Sequence, residues 1–280
     1  SIIIKSSTYS ITVEDFDFDN SSDFLFNGTS TANTEVYVTL NDFDYTATDY
    51  AEIIKGTGSV SNAKLGDKII MNDYEDDAVC VGNDITFTYD TDKEITVKGF
   101  FNADGDMVFQ GGCYVERSAG YEHVAYNDIN LAVSGRTKFN NTYTYIDPVT
   151  EEPVTETLFH TVDITGTDGA DTYVGGEYDD TFTAKKGTDR LTGNGGDDTF
   201  VFTSGDGADV ITDANDGDVI KFTDITSFED IKFERSGVQH DGDDLVITYG
   251  ANNDTVTLSG YFTQDPDERI TSFNLGGTDY

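Results

Sequence analysis

The chain has 280 residues, of which 54 are acidic and 16 basic, so its formal net charge is −38 at pH 7. A surface this acidic is a poor partner for nucleic acid or for an anionic membrane, because both attract basic residues. No run of 18 or more apolar residues occurs, so no membrane span is predicted. With only 36% hydrophobic residues, the chain needs added positive charge before it can collapse against its own repulsion.

The N-terminal half consists of short β-type segments separated by polar turns. Helix-period patterns are nearly absent, and Thr, Tyr, Phe, Val and Ile are punctuated by Asp, Asn and Gly, which is typical of an all-β fold. We expect a sandwich or an irregular roll in an N-terminal β domain of residues 1–120. Its strands are predicted at Ser10–Val13, Val36–Leu40, Ala51–Lys55, Lys68–Met71, Ile85–Tyr89, Glu94–Lys98 and Met107–Gln110.

The chain has two cysteines, Cys80 and Cys113. In an exported protein they could form one disulfide, and two buried thiols are the alternative. Neither lies near a histidine motif, so a nucleophilic or zinc-binding role is disfavoured.

Residues 121–160 are the least regular stretch, and we interpret them as an irregular connecting segment. Pro148 and Pro153 lie in it, in a sequence that favours a turn or a hairpin tip. The boundary between the two halves is therefore placed here, and Thr161–Thr165 is predicted to be the first strand that follows.

From Gly166 the sequence repeats every nine residues. Four blocks follow one another in phase, two residues (Phe202 and Thr203) interrupt, and two further blocks run from Ser204 to Lys221. The sixth position of each block is an aspartate, namely Asp171, Asp180, Asp189, Asp198, Asp209 and Asp218. The eighth position is apolar, namely Tyr173, Phe182, Leu191, Phe200, Ile211 and Ile220.

This pattern is that of the nonapeptide of calcium-binding parallel β-helices. Each block would form a six-residue turn and a three-residue strand whose middle residue points inward. Two blocks complete one coil, so aspartates of alternate blocks should line the same edge. Stacked carboxylates repel one another, and a hard cation between successive turns removes that repulsion. Turn carbonyls would complete an oxygen shell of roughly 6–8 ligands.

The third block departs from the pattern. Ala184, Lys185 and Lys186 replace the glycine pair and the residue after it, so two ammonium groups lie beside the turn. We expect poorer calcium occupancy on this edge, unless the lysine side chains point to solvent.

Residues of about 161–262 resemble the RTX (repeats-in-toxin) β-roll of bacterial proteins exported by type I secretion. The resemblance rests on the blocks above and on Gly205–Ile211, Gly217–Phe222 and Gly242–Ile247, the last of which is similar to the flanking segment that caps the roll in that family. It implies a parallel β-roll at 161–222, an antiparallel β cap at 223–280, and a secreted protein that is extracellular or at the cell surface.

Candidate calcium ligands are the six aspartates and the turn residues around them. The full set is Asp171, Asp180, Asp189, Asp198, Asp209, Asp218, Gly166, Asp168, Gly169, Gly175, Glu177, Gly187, Gly193, Gly195, Asp206 and Gly207.

A second internal similarity links the two halves. The stretch from Gly82 to Phe101 parallels that from Gly242 to Phe262, and Gly66-Asp67 parallels Gly217-Asp218. We interpret the N-terminal domain as a degenerate duplicate, a capped roll whose calcium turns have decayed. Generic β-hairpins with a Gly-Asp turn are the alternative.

Sequence features of an enzyme are weak. None of the three histidines lies in an H-E-x-x-H motif, and no G-x-S-x-G elbow occurs. We therefore expect no enzyme in this fragment but a calcium-binding structural module of a secreted bacterial surface protein, of surface-layer or adhesin type. It would fold and assemble on calcium binding, with self-assembly or a cell-surface polysaccharide as further partners. The alternatives are the C-terminal calcium-dependent domain of an exported RTX lipase, protease or epimerase, and a glycan-binding module.

Overall fold

The computed structural model describes residues 2–5, 10–13, 35–47, 51–64, 66–72, 74–117, 120–124, 129–146, 153–157, 159–237 and 242–280. Across these residues the chain is almost entirely β-structure, as predicted, with 26 strands and two short 3-10 helices, Phe228–Asp230 and Pro266–Glu268. In this part of the chain no helix is long and apolar enough to cross a membrane.

The chain divides into two compact units that alternate along the sequence. The first unit comprises Ser1–Asp76, Asp84–Phe100 and Val108–Ala125, and the second comprises Asp77–Asn83, Phe101–Met107 and Tyr126–Tyr280. Two segments from the predicted N-terminal domain, 77–83 and 101–107, therefore belong to the second unit.

The described strands of the first unit form four parallel and four antiparallel pairs. Its strands are β1 (Ile2–Lys5), β2 (Ser10–Val13), β3 (Glu35–Thr46), β4 (Glu52–Ser61), β5 (Lys68–Met71), β7 (Asp84–Tyr89), β8 (Lys93–Val97), β9 (Gly112–Arg117) and β10 (Gly120–His123). β3 pairs with β4, β4 with β5 and β8, and β5 with β9, all in parallel. A parallel pair requires a crossover rather than a hairpin. Of the two predicted architectures, the pairing therefore supports the roll and not the sandwich.

The strand predicted at Met107–Gln110 is wrong. Met107 forms only an isolated antiparallel bridge with Phe101. The backbone N–H groups of Val108 and Phe109 both donate to the Phe100 carbonyl, at 2.9 and 3.2 Å. These local bonds replace a strand ladder, so the segment turns back on itself instead of extending.

The second unit is a roll with two columns of parallel strands. The first column consists of β12 (Lys138–Asn140), β16 (Thr172–Val174), β18 (Arg190–Thr192), β20 (Ala208–Ile211) and β24 (Asp254–Leu258). The second column consists of residues 77–81 of β6 (Tyr74–Val81), β11 (Ile129–Ser134), β15 (Phe159–Thr165), β17 (Thr181–Thr183), β19 (Thr199–Phe202), β21 (Val219–Phe222) and β25 (Ser272–Leu275). Strands of alternate blocks pair with one another, as the nine-residue period predicts.

The interior of this roll is apolar throughout. The six residues at the eighth position of the blocks are each at most 1% exposed. The rings of Phe182 and Phe200 stack with centroids 5.2 Å apart. Phe202, which with Thr203 interrupts the repeat, is also fully buried and packs near Phe222 and Tyr249. Burial of each such side chain stabilises the fold by about 1.5–3 kcal/mol.

The roll begins before the first nonapeptide. The stretch 121–160, which we expected to be an irregular connection, contributes β11 and β12 to the two columns. It also forms the antiparallel hairpin of β13 (Thr142–Ile146) and β14 (Pro153–Thr157), whose connecting residues 147–152 lie outside the described residues. At the other end, β22 (Ile231–Arg235), β23 (Leu245–Tyr249) and β24 form an antiparallel cap.

The two units contain hairpins of the same construction. In the first, β7 and β8 are antiparallel and β8 pairs in parallel with β4; in the second, β23 and β24 are antiparallel and β24 pairs in parallel with β20. Gly99 N donates to Asp84 Oδ1 at 2.7 Å, and Gly260 N donates to Asp244 Oδ1 at 2.8 Å. These matching contacts support the duplication.

An acidic pair in the first unit has the geometry of the repeat aspartates. Asp67 Oδ1 accepts from Glu52 N at 2.9 Å, and Asp67 Oδ2 accepts from Lys64 N at 2.7 Å. Asp218 accepts in the same way from the backbone N–H groups of Asp198 and Asn215. Glu52 thus takes the place of a repeat aspartate, and its Oε1 accepts from the Tyr45 hydroxyl at 2.9 Å. Protein donors occupy both acidic positions here.

We expect the first unit to stay folded without calcium. In hydrogen–deuterium exchange of the full chain in chelator, β4, β5, β7 and β8 should remain protected while β16–β21 exchange rapidly. The reason is that Glu52 is held by the Tyr45 hydroxyl, whereas the repeat aspartates face one another. Equal loss of protection in both sets of strands would refute this prediction.

Candidate calcium sites

The repeat aspartates form two hydrogen-bonded ladders. Along the first edge, Asp171 N donates to Asp189 Oδ1 at 2.9 Å, and Asp189 N donates to Asp209 Oδ1 at 3.0 Å. Along the second edge, Asp180 N donates to Asp198 Oδ1 and Asp198 N to Asp218 Oδ1, both at 2.9 Å. Each carboxylate is at most 2% exposed.

Three of these carboxylates have an oxygen with no partner in the protein. Two of them lie in the middle of the two edges and the third at the end of the first edge. Their buried oxygens are Asp189 Oδ2, Asp198 Oδ2 and Asp209 Oδ2. A buried acceptor without a donor costs about 1–3 kcal/mol, and more when it is charged. Carboxylate oxygens of this kind are the ligands that a hard cation such as calcium prefers. The residues present therefore fit the ion.

The aspartates nearer the ends of the array are partly satisfied by their own turns. Asp171 Oδ2 accepts from Thr167 N at 2.6 Å, Asp180 Oδ2 from Gly176 N at 2.7 Å, and Asp218 Oδ2 from Asn215 N at 2.8 Å. The need for a cation is therefore greatest at Asp189, Asp198 and Asp209.

Glycine at the first turn position keeps space between neighbouring coils. A Cβ atom on Gly193 would overlap Asp198 Oδ2. A Cβ on Gly175 would overlap Asp180 Oδ2 and would lie 2.6 Å from the Gly193 carbonyl oxygen. Carboxylate and carbonyl oxygens thus converge on the position that a side chain would fill. Among the described residues no three His, Cys, Asp or Glu side chains are grouped to hold a metal, so carbonyls must supply the remaining ligands.

The other predicted site residues divide into buried and exposed groups. Gly166, Gly175, Gly193 and Asp206 are buried, whereas Asp168, Gly169 and Glu177 are exposed. Gly187, Gly195 and Gly207 lie between these extremes. Asp168 and Glu177 could therefore serve through their carbonyls and not through their side chains.

The lysines of the third block lie in solvent. Lys185 and Lys186 are both exposed, and Lys186 forms a 3.6 Å ion pair with Asp168 that solvent weakens. Lys185 has φ 64°, close to the 70° of Asn194 at the same position of the next block. The turn therefore keeps its shape, while the expected lower calcium occupancy stays a prediction.

Two acidic residues near the sites were missed from the sequence. Asp213 accepts from the backbone N–H groups of Gly193 and Asn194, at 3.0 and 2.8 Å. Asp254, in the cap, accepts from Gly205 N at 2.7 Å. Asp213 occupies the first position of its block, where the other blocks have glycine or another small residue. This departure from the repeat could have identified it from the sequence. Asp254 lies outside the repeats and had no such signal.

Burial raises the pKa of five aspartates of the repeats in the absence of metal. Desolvation is the largest cause, and neighbouring carboxylates add to it. The pKa of Asp198 rises to about 8 and that of Asp209 to about 7. The pKa values of Asp180, Asp189 and Asp218 rise to about 6. The protonated form is therefore favoured most at Asp198 and Asp209 unless a cation replaces the proton.

A comparison with known protein families agrees with this geometry. The family model of the RTX calcium-binding nonapeptide repeat matches residues 165–200, with four copies. The chain carries an RTX calcium-binding array. RTX repeats bind Ca²⁺, so calcium is the ion that these edges hold. The array also indicates a secreted protein.

One solved structure similar to this chain is the crystal structure of the extracellular lipase LipA from Serratia marcescens, at 14% sequence identity and a TM-score of 0.29. The similarity covers 85% of this chain, which spans 37% of the lipase chain. The search of curated proteins finds no match.

We expect Gly193→Ala to destabilise the calcium-bound roll by roughly 2–3 kcal/mol, because the added Cβ would overlap Asp198 Oδ2. Gly169→Ala is the matched control: its Cβ would have Thr167 Oγ1 as nearest neighbour at 3.6 Å, so it should change stability by less than about 0.5 kcal/mol. Thermal unfolding at saturating calcium measures both. Equal effects of the two substitutions would contradict the site geometry.

The raised pKa values predict opposite pH dependences with and without calcium. Between pH about 4 and about 8, the metal-free folded roll binds more protons than the unfolded chain, whose aspartates titrate near 3.8. The metal-free roll, which we expect to be unfolded near neutral pH, should therefore become more stable as the pH falls through this range. When calcium is present, protons compete with the ion for the carboxylates, so the same acidification should lower the stability of the roll. Denaturation of metal-free and calcium-loaded protein at pH 8, 7, 6 and 5 distinguishes the two; a common trend would refute the prediction.

Proposed function

We propose that this chain is a calcium-dependent structural module of a secreted bacterial surface protein, of surface-layer or adhesin type. The proposal rests on the buried carboxylate oxygens of Asp189, Asp198 and Asp209 that have no hydrogen-bond partner in the protein. A side chain in such a position supports folding only when its charge is matched. The role proposed for calcium is therefore to make the C-terminal roll stable, and the role proposed for the roll is mechanical and not catalytic.

The same chemistry favours folding after export. Extracellular calcium modules bind at roughly 10⁻⁴–10⁻³ M, so such sites stay empty in cytosol and fill outside the cell. Before export the aspartates repel one another along an already acidic chain, which opposes collapse. Outside, calcium neutralises both edges and the roll forms.

A surface role adds the requirement that copies of the chain, or the chain and a cell-surface polysaccharide, associate. With a net charge of −38, two copies repel strongly at long range. Association of two copies would then need calcium to reduce this repulsion, and it would also need the chain to be folded. The rival function, a calcium-dependent tail of an exported enzyme, requires the folding step but no association.

Calcium titration of the full chain tests both steps. We expect β-structure, followed by circular dichroism, to appear with a midpoint of about 10⁻⁴–10⁻³ M calcium. Sheets or filaments should appear in electron micrographs at millimolar calcium. Magnesium at equal ionic strength is the control, because it keeps its waters and demands a smaller octahedral shell.

An unchanged spectrum with calcium would refute the folding role. Folding into dispersed monomers that do not assemble would refute the surface-lattice role and favour the enzyme tail. Folding with magnesium alone would mean that charge screening suffices and that specific sites are not needed.

A further inference from the structure

The cap continues the first column of the roll but lacks the repeat. β24 pairs in parallel with β20, and Val256 lies opposite Asp209. The aspartate ladder of the first edge therefore ends at Asp209, because the position that should hold the next aspartate holds a valine. The turn that precedes β24, residues 250–253, takes the place of a further calcium turn.

Asp254, the first residue of β24, brings a carboxylate to this end of the ladder. Its Oδ2 accepts from Gly205 N at 2.7 Å, so it lies against the turn of the fifth block. Asp254 is 7% exposed, and in that block Asp206 is 8% and Asp209 1% exposed. The fifth block and the start of β24 thus carry three buried carboxylates where roll and cap join. Within the described residues, none of them forms an ion pair.

Two buried polar atoms at this junction have no partner. One is Asp209 Oδ2 and the other is the hydroxyl of Tyr249, a residue that is 1% exposed. Tyr249 lies directly opposite Asp254 across the antiparallel β23–β24 pair, so the two side chains lie on the same face of the sheet. Burial raises the pKa of Tyr249, and the charges of Asp209, Asp206 and Asp254 raise it further. The unpartnered hydroxyl is a second observation, separate from the three carboxylates, that points to a ligand at this junction.

We propose that Asp254 and Asp209 bind a calcium ion at the junction of roll and cap, so that the cap is fixed to the roll by metal. The proposal deepens the calcium-dependent folding role and rests on it. Since no three carboxylates of the described residues are grouped around one ion, backbone carbonyls of the two facing turns must complete the shell. The consequence is that a residue outside the repeats supplies one ligand, and that the cap closes the roll only when calcium is bound.

Asp254→Asn tests this site in the full chain. Asparagine keeps an oxygen that accepts from Gly205 N but loses the charge, so the hydrogen bond is preserved and the metal ligand is weakened. We expect one fewer calcium ion per chain by isothermal titration and by elemental analysis. We also expect β23 and β24 to need more calcium for protection from hydrogen exchange. Asp230→Asn, an exposed acidic residue of the cap, is the matched control and should bind as the wild type does.

Asp254→Asn with the calcium content of the wild type would overturn the proposal, as would an equal loss in Asp230→Asn. If Asp254→Asn does not fold, Asp254→Glu, which keeps the charge, should recover both the fold and the full calcium content; failure to recover the ion would overturn the proposal. Absence of calcium binding by the wild type would refute the proposed function itself, which is a different result.

Discussion

Mutual repulsion between buried carboxylates is the constraint on which the C-terminal roll depends. The parallel stacking of coils that buries Tyr173, Phe182, Leu191 and their equivalents also places aspartates directly above one another. Each repeat carboxylate after Asp171 uses one oxygen to accept a backbone N–H from the preceding coil. In Asp189, Asp198 and Asp209 that bond leaves the other oxygen buried without a protein donor. A divalent cation removes the repulsion between these carboxylates, because calcium binds several oxygen ligands at once.

The strands and the turns of each block therefore make different contributions to the stability of the roll. The strand places an apolar residue in a continuous core, and this contribution does not depend on metal. The turn places oxygens around a cation position, and this contribution is unfavourable until the charge is matched. Glycine is required at turn positions such as Gly193 because a Cβ would overlap the Asp198 carboxylate. Calcium dependence thus follows from the turns, while the shape of the roll follows from the strands.

The first unit shows what the same pairing pattern does with different turns. Its hairpin β7–β8 and the parallel partner β4 reproduce the contacts of β23–β24 with β20. At the corresponding acidic positions, Glu52 accepts from the Tyr45 hydroxyl and Asp67 accepts from two backbone N–H groups. Hydrogen-bond donors of the protein replace the cation there. Dependence on calcium is accordingly a property of which residues fill the turns, and it can be lost while the strand pairing is kept.

The sequence by itself determined the nine-residue blocks, their inward residues and the two edges of aspartates, because each block is a local unit whose period fixes both its turn and its strand. Only the tertiary structure showed that β11 and β12 begin the roll, since Ile129–Ser134 carries no glycine or aspartate signal. It also placed Asp254 against Gly205, 49 residues away along the chain. Contacts of that kind depend on which distant strands pair and in what register, and no short-range pattern encodes that choice.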